Sequence, residues 1–187
     1  MLIAGPAVAT RDSNSCGMYP DGVNTGYSGC ILREAGEKPL WHRPSRRGVR
    51  QQIRLTFTEG HLAYTKLIDF EERADGSGII RLRTLRRKSD SGSIESSRTI
   101  HHVTSAEVAT INRLGSASDT WDQPIGSWDG DELFLHCETL DMERRVLDGY
   151  SFSSVNISCN QPEKLMPFVT FITGLVGLKP YADRQMF

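Results

Sequence analysis

A chain of 187 residues with 38% hydrophobic and 24% charged residues has the size and composition of one globular domain that can bury a core without cross-links. Its net charge of −1 excludes a global field that would draw it onto nucleic acid or an anionic surface. No apolar run reaches the roughly 18 residues that a bilayer-spanning helix needs, so no membrane span is expected.

From Met1 to Ala9 the chain is small and apolar, and Ala7-Val8-Ala9 has the A-x-A form that signal peptidases cut. Residues 1–9 are therefore read as a signal-peptide remnant. Cys16 and Cys30 then bracket a loop rich in Gly, Ser and Asn that would fray without a tie. A bridge closing a loop of that length contributes about 3 kcal/mol in the chain-entropy picture. Four cysteines allow three pairings that sequence alone does not choose between, and the loop composition favours Cys16–Cys30, which leaves Cys137 with Cys159. Two disulfides imply an oxidising compartment, and the expected location is periplasmic or secreted. The cysteines do not suggest a metal: there is no C-x-x-C, and His136 and Cys137 are adjacent, so they point to opposite faces of a strand.

Residues 10–50 read as an irregular N-terminal arm carrying Tyr19, Tyr27 and Trp41 as exposed aromatics. Residues 51–187 read as a single α+β domain. Ile53, Leu55 and Phe57 alternate with Gln52, Arg54 and Thr56, the pattern of a half-buried strand with a wet face. Further strands are expected over Leu62–Phe70, Ile79–Arg87 and Glu95–Val103, with Asp75-Gly76-Ser77-Gly78 as a turn. Thr104-Ser105-Ala106-Glu107 is a capping box with Val103 and Val108 as its hydrophobic staple. The helix it starts would present Val108, Ile111 and Leu114 to the core and stop at Gly115.

A hairpin is expected from Leu133–Leu140 and Tyr150–Cys159 about an Asp148-Gly149 turn. Its second strand changes apolar phase, from Tyr150 and Phe152 to Val155 and Ile157. A one-residue bulge near Ser153-Ser154 would explain that change and bring Cys137 opposite Cys159. A last helix is expected over Gln161–Val176, capped by Asn160 and Glu163, with Pro167 kinking it or marking its true start. The pattern is α+β: an antiparallel sheet of five to six strands with two helices on one face, in the order ββββαββα.

Chemistry is harder to find. His42, His61, His101, His102 and His136 have no partner at helical or strand spacing that would build a metal site or a catalytic pair. The acidic run Asp129-Gly130-Asp131-Glu132 lacks the twelve-residue spacing of a calcium loop. No cofactor motif is present. The least poor catalytic set is His136, Asp131 and Glu138. Charge segregation says more. Arg43, Arg46, Arg47, Arg50 and Arg54 form one basic block, and Arg81, Arg83, Arg86, Arg87 and Lys88 form a second, whereas the segment from Asp119 to Asp148 is strongly acidic. Such a division steers charged partners toward one face. The sequence is therefore read as an exported, non-enzymatic domain that binds another protein through Arg46, Arg47, Arg81, Arg83, Arg86 and Arg87. The best-fitting role is an immunity or inhibitor protein acting on an envelope toxin or enzyme. Alternatives are an envelope hydrolase or an accessory subunit of an envelope complex.

Overall fold

The hydrophobic alternation in the strands builds an open six-stranded antiparallel sheet. In the computed structural model, residues 16–20, 28–42, 47–59, 64–88, 91–116, 120–121, 137–159 and 161–178 are described. Their elements are α1 (Ser28–Glu34), β1 (Val49–Thr58), β2 (Tyr64–Arg73), β3 (Gly78–Arg87), β4 (Ile94–Val103), α2 (Ser105–Gly115), β5 (Thr139–Val146), β6 (Gly149–Val155) and α3 (Met166–Leu175). The sheet order is β4-β3-β2-β1-β5-β6, and the fold is α+β with the order αββββαββα. No helix among the described residues is long and apolar enough to cross a membrane.

Register aligns the apolar positions on one face. Ile53 stands opposite Phe70 and Leu55 opposite Ile68 on β2, while Leu55 stands opposite Met142 and Phe57 opposite Leu140 on β5. Against this helix face pack Val108 and Ile111 of α2 and Phe168, Val169 and Ile172 of α3, forming one buried cluster. The two expected helices thus share one face.

Helix α2 starts where its cap specifies. Glu107 N–H donates to the Thr104 hydroxyl at 3.4 Å, and Thr104 N–H donates to the Glu107 carboxylate at 2.8 Å. Thr104→Ala is expected to cost about 1 kcal/mol in a urea titration, the ordinary loss for an N-cap, with no change in the transition slope. Gly115 has a different role from the expected left-handed stop. It lies inside the helix with Ser116 as its cap, and an added Cβ would come within 3.3 Å of the Phe168 ring. Its lack of a side chain lets α2 approach α3.

Three boundaries shift for physical reasons. The β5–β6 ladder runs from Leu140–Val155 to Val146–Gly149 without interruption, so the tip is Leu147-Asp148 and there is no bulge at Ser153-Ser154. The apolar phase change arises because both faces of β6 are covered. Phe152 packs with Tyr19 from the arm at 5.1 Å between ring centroids, and Val155 joins the helix-face core. Cys137 and Cys159 do pair, just beyond the ladder, where Cys159 N–H donates to the Asn156 carbonyl in a turn. Finally, α3 begins at Met166 with Leu165 as an N-cap that makes no side-chain bond, so Pro167 marks the start of the helix. The expected cap residue Asn160 lies outside the described residues.

The largest difference is on the opposite face of the sheet. Residues 10–50 were expected only as an irregular arm, but their described part is a second layer there. Residues 28–34 are helical, and Cys16–Cys30 ties that helix to Met18 and Tyr19. Met18, Tyr19, Ile31 and Leu32 are buried against Leu67, Leu85 and Phe152 of the sheet. Tyr19, expected as an exposed aromatic, is wholly buried.

Candidate functional site

The arm covers a face that is mostly polar. Gln52, Arg54 and Thr56 on β1, Asp69 and Glu71 on β2, Arg81 and Arg83 on β3, and Asp141 and Glu143 on β5 all point to it by strand parity. Burying such a layer requires that each charge find a partner.

Arg54 is the hub, with a side chain 0% exposed. Its Nε donates to Asp69 Oδ1 at 2.8 Å, Nη1 to the Lys38 carbonyl at 3.0 Å, and Nη2 to Glu37 Oε2 at 3.3 Å. Glu143 lies 3.8 Å from Nη1. The planar guanidinium therefore joins three strands to the arm through its fixed fork of donors. Burial raises the Glu143 pKa to about 7, against the opposing pull of Arg54 and a hydrogen bond from Tyr150.

A second buried centre is Asp141. Its carboxylate accepts from Ser28 Oγ at 2.5 Å, from Ser154 Oγ at 2.6 Å and from Tyr19 Oη at 3.5 Å. Burial raises its pKa to about 6 despite those three hydroxyls, and burial and the Asp141 charge push the Tyr19 phenol well up. Ser28 and Tyr19 are 0% exposed and Asp141 is 1% exposed. Buried and bonded from arm to strand, the group fastens the arm to the sheet.

Where the arm ends, the polar face opens. A cavity of about 500 Å³ lies between Glu37 and Leu40 of the arm and the strands β2, β3 and β4. Its paired residues are Arg81 with Glu71 at 3.5 Å and Arg83 with Glu37. Arg83 also donates to Ser96 Oγ at 3.1 Å. Arg98 stands directly across the ladder from Arg83, and burial together with that like charge lowers the Arg83 pKa. Beyond the cavity the arm-side face of β4 is bare. Arg98 is exposed, Ile100 is 50% exposed, and His102 is exposed.

These positions rearrange the expected binding set. Arg81, Arg83 and Arg87 lie on the arm face and are ion-paired, Arg87 with Glu34 at 2.6 Å. Arg86 points to the other face, by parity, and does not share their patch. Arg47 is exposed in the turn before β1, and Arg46 lies outside the described residues. Arg54 leaves the basic surface altogether. Of the catalytic alternative, His136 and Asp131 lie outside the described residues, and Glu138 is buried beside the second disulfide, with its amide donating to Ser158 Oγ at 2.7 Å. His101 and His102 do point to opposite faces, opposite Ile80 and Ile79. Trp121 seals the core, donating to the Gly115 carbonyl at 2.7 Å and meeting the Phe168 ring edge-on. Trp128 and Tyr27 lie outside the described residues. Among the described residues no cluster of His, Cys, Asp and Glu could hold a metal ion.

Arg98 is the functional candidate that sequence reading passed over. Its signal was a lone cation in a serine-rich strand, and only the ladder register places it against Arg83. No protein-family model matches this chain, and no curated protein and no solved structure matches it. The two disulfides suggest an oxidising compartment outside the cytoplasm.

Proposed function

We propose that this is an exported domain, periplasmic or secreted, that binds another protein non-covalently through the arm-side face and free margin of β4. A role as an immunity or inhibitor protein against an envelope toxin or enzyme fits this mode best. The observation that carries the reading is the state of β4 itself. It is a ten-residue terminal strand whose residues 95–100 are exposed, and half of Ile100 faces solvent among Arg81, Arg98 and His102. An apolar anchor flanked by two arginines and an imidazole is the make-up of a recognition patch, and a long strand that is terminal among the described strands offers its outer backbone groups. An acidic partner surface is the complement, with Arg98 providing the steering charge.

The test is a photo-crosslinking residue at position 100, compared with one at Leu147, an exposed site on the distant hairpin tip. A partner captured only from position 100 is then titrated against Arg98→Glu. Association is expected to slow about tenfold at low salt and to approach the unsubstituted rate at high salt. Equal capture from both positions, or an association rate unchanged by Arg98→Glu, would contradict the reading.

A further inference from the structure

We infer that the cavity between the arm and β2–β4 is a binding site for a small carboxylate that carries hydroxyl or ammonium donors. The inference stands apart from the proposed protein partner, since it concerns the cavity's own side chains and a free small molecule. Three observations lead to it.

The cavity is large enough for a ligand of monosaccharide or amino-acid size, at about 500 Å³. Its three arginines, Arg81, Arg83 and Arg98, face three carboxylates, but the pairing leaves one cation over. Like charges directly opposite in a ladder repel, yet Arg83 and Arg98 face one another there. Glu37 answers Arg83, Glu71 answers Arg81, and Asp69 answers Arg54, so the nearby carboxylates are each engaged. Among the described residues Arg98 has no carboxylate within ion-pair distance. An anion set between Arg83 and Arg98 would convert the repulsion into two charge-assisted hydrogen bonds. Ser96 completes that pole. Its oxygen already accepts from Arg83 Nη2, which leaves its hydroxyl hydrogen to donate to the bound anion.

The opposite wall has the complementary chemistry. Asp69 uses Oδ1 for Arg54, and its side chain is still 23% exposed at the cavity. A ligand hydroxyl or ammonium could be accepted there while its carboxylate lies on Arg98. A site with cations at one end and a held carboxylate at the other selects for donors as well as for charge.

The experiment uses the intact oxidised protein, labelled for amide NMR and held at constant ionic strength with chloride. Sodium glucuronate and L-aspartate are the probes, with inorganic phosphate as a bare anion and glucose as a neutral sugar. Glucuronate or aspartate is expected to produce saturable shifts at the Ser96, Arg98 and Asp69 amides, with phosphate weaker and glucose silent. Arg98→Ala and Ser96→Ala are exposed changes that leave the fold intact. Arg98→Ala should weaken binding about tenfold, the loss expected for one charged hydrogen bond, and Ser96→Ala by less. Phosphate binding as tightly as the organic acids would overturn the assigned ligand class. Shifts that never saturate, or that persist unchanged in Arg98→Ala, would overturn the site.

Discussion

Replacing Arg54 with methionine should destabilise the oxidised protein by about 3–5 kcal/mol, a large share of the roughly 5–15 kcal/mol of an ordinary domain. The substitution keeps the bulk of the side chain but leaves Asp69, Glu37 and Glu143 facing one another in a dry layer, and it strips the Lys38 carbonyl of its donor. The damage comes from the carboxylates left behind. Combining Arg54→Met with Asp69→Asn and Glu143→Gln should therefore recover much of the loss, because two of the three charges are then removed and Glu37 keeps its pair with Arg83. Arg54→Lys should fall between, since a single ammonium retains the charge but cannot reach Asp69, Glu37 and the Lys38 carbonyl together. Denaturant midpoints at neutral pH, with both disulfides intact, decide the matter. A cost below about 1 kcal/mol for Arg54→Met would place Arg54 in solvent and remove the arm from the sheet.

The second large effect is on pH. Asp141 and Glu143 are buried carboxyls with pKa values raised to about 6 and about 7, in each case chiefly by desolvation. Their folded pKa values lie above the unfolded ones, so the folded state holds protons that the unfolded state has released. Stability is then greatest below the unfolded carboxyl range and falls as pH rises through the folded values. The fold should be less stable at about pH 8 than at about pH 5, by on the order of 3 kcal/mol, with most of the loss complete near pH 7. This runs against the usual behaviour of paired surface acids. Asp75 and Glu107, held low by hydrogen bonds from Ser77 and Thr104, act only at the acid end and with the opposite sign. Asp141→Asn keeps an acceptor for Ser28, Ser154 and Tyr19, whose hydroxyls can also turn to accept. That variant should flatten the profile, and Glu143→Gln should remove part of what remains. A midpoint that rises between about pH 5 and pH 8 would mean that these carboxyls are solvated.

Much of the architecture was legible in the residues. The four strands from β1 to β4 follow from alternation and from the Asp75–Gly78 turn, and the Thr104–Glu107 box locates the start of α2. Loop composition and strand proximity favoured the two disulfides that form, among three pairings that sequence left open, although the bulge invoked for Cys137–Cys159 is not there. What was illegible shares one cause. The Gln52, Arg54 and Thr56 side of β1 has the polarity of a wet face, and its cover comes from a segment with weak helical signal. The seven residues SGCILRE of α1 hold a serine, a glycine and a cysteine and are too short to show periodicity. Without that cover, Tyr150 and Phe152 look out of phase with Val155, and Arg54 looks like a surface cation. With it, β6 is a strand buried on both sides and Arg54 is the hub beneath the arm. Arg98 was illegible for another reason: its meaning lies in the residue across the ladder, and strand register is not written in local pattern.

Amide hydrogen exchange across α1 in the oxidised protein bears most directly on the account. The Ala35 amide donates to Ile31 and the Glu37 amide to Leu32, each at 2.9 Å. An isolated helix this short would not protect them. If the arm is locked to the sheet by Asp141 and Arg54, both amides exchange slowly, and Asp141→Ala speeds them far more than it speeds Ile111 in α2. Exchange at Ala35 and Glu37 as fast as in an unfolded chain would contradict the two-layered sheet on which the buried arginine and the open β4 face depend.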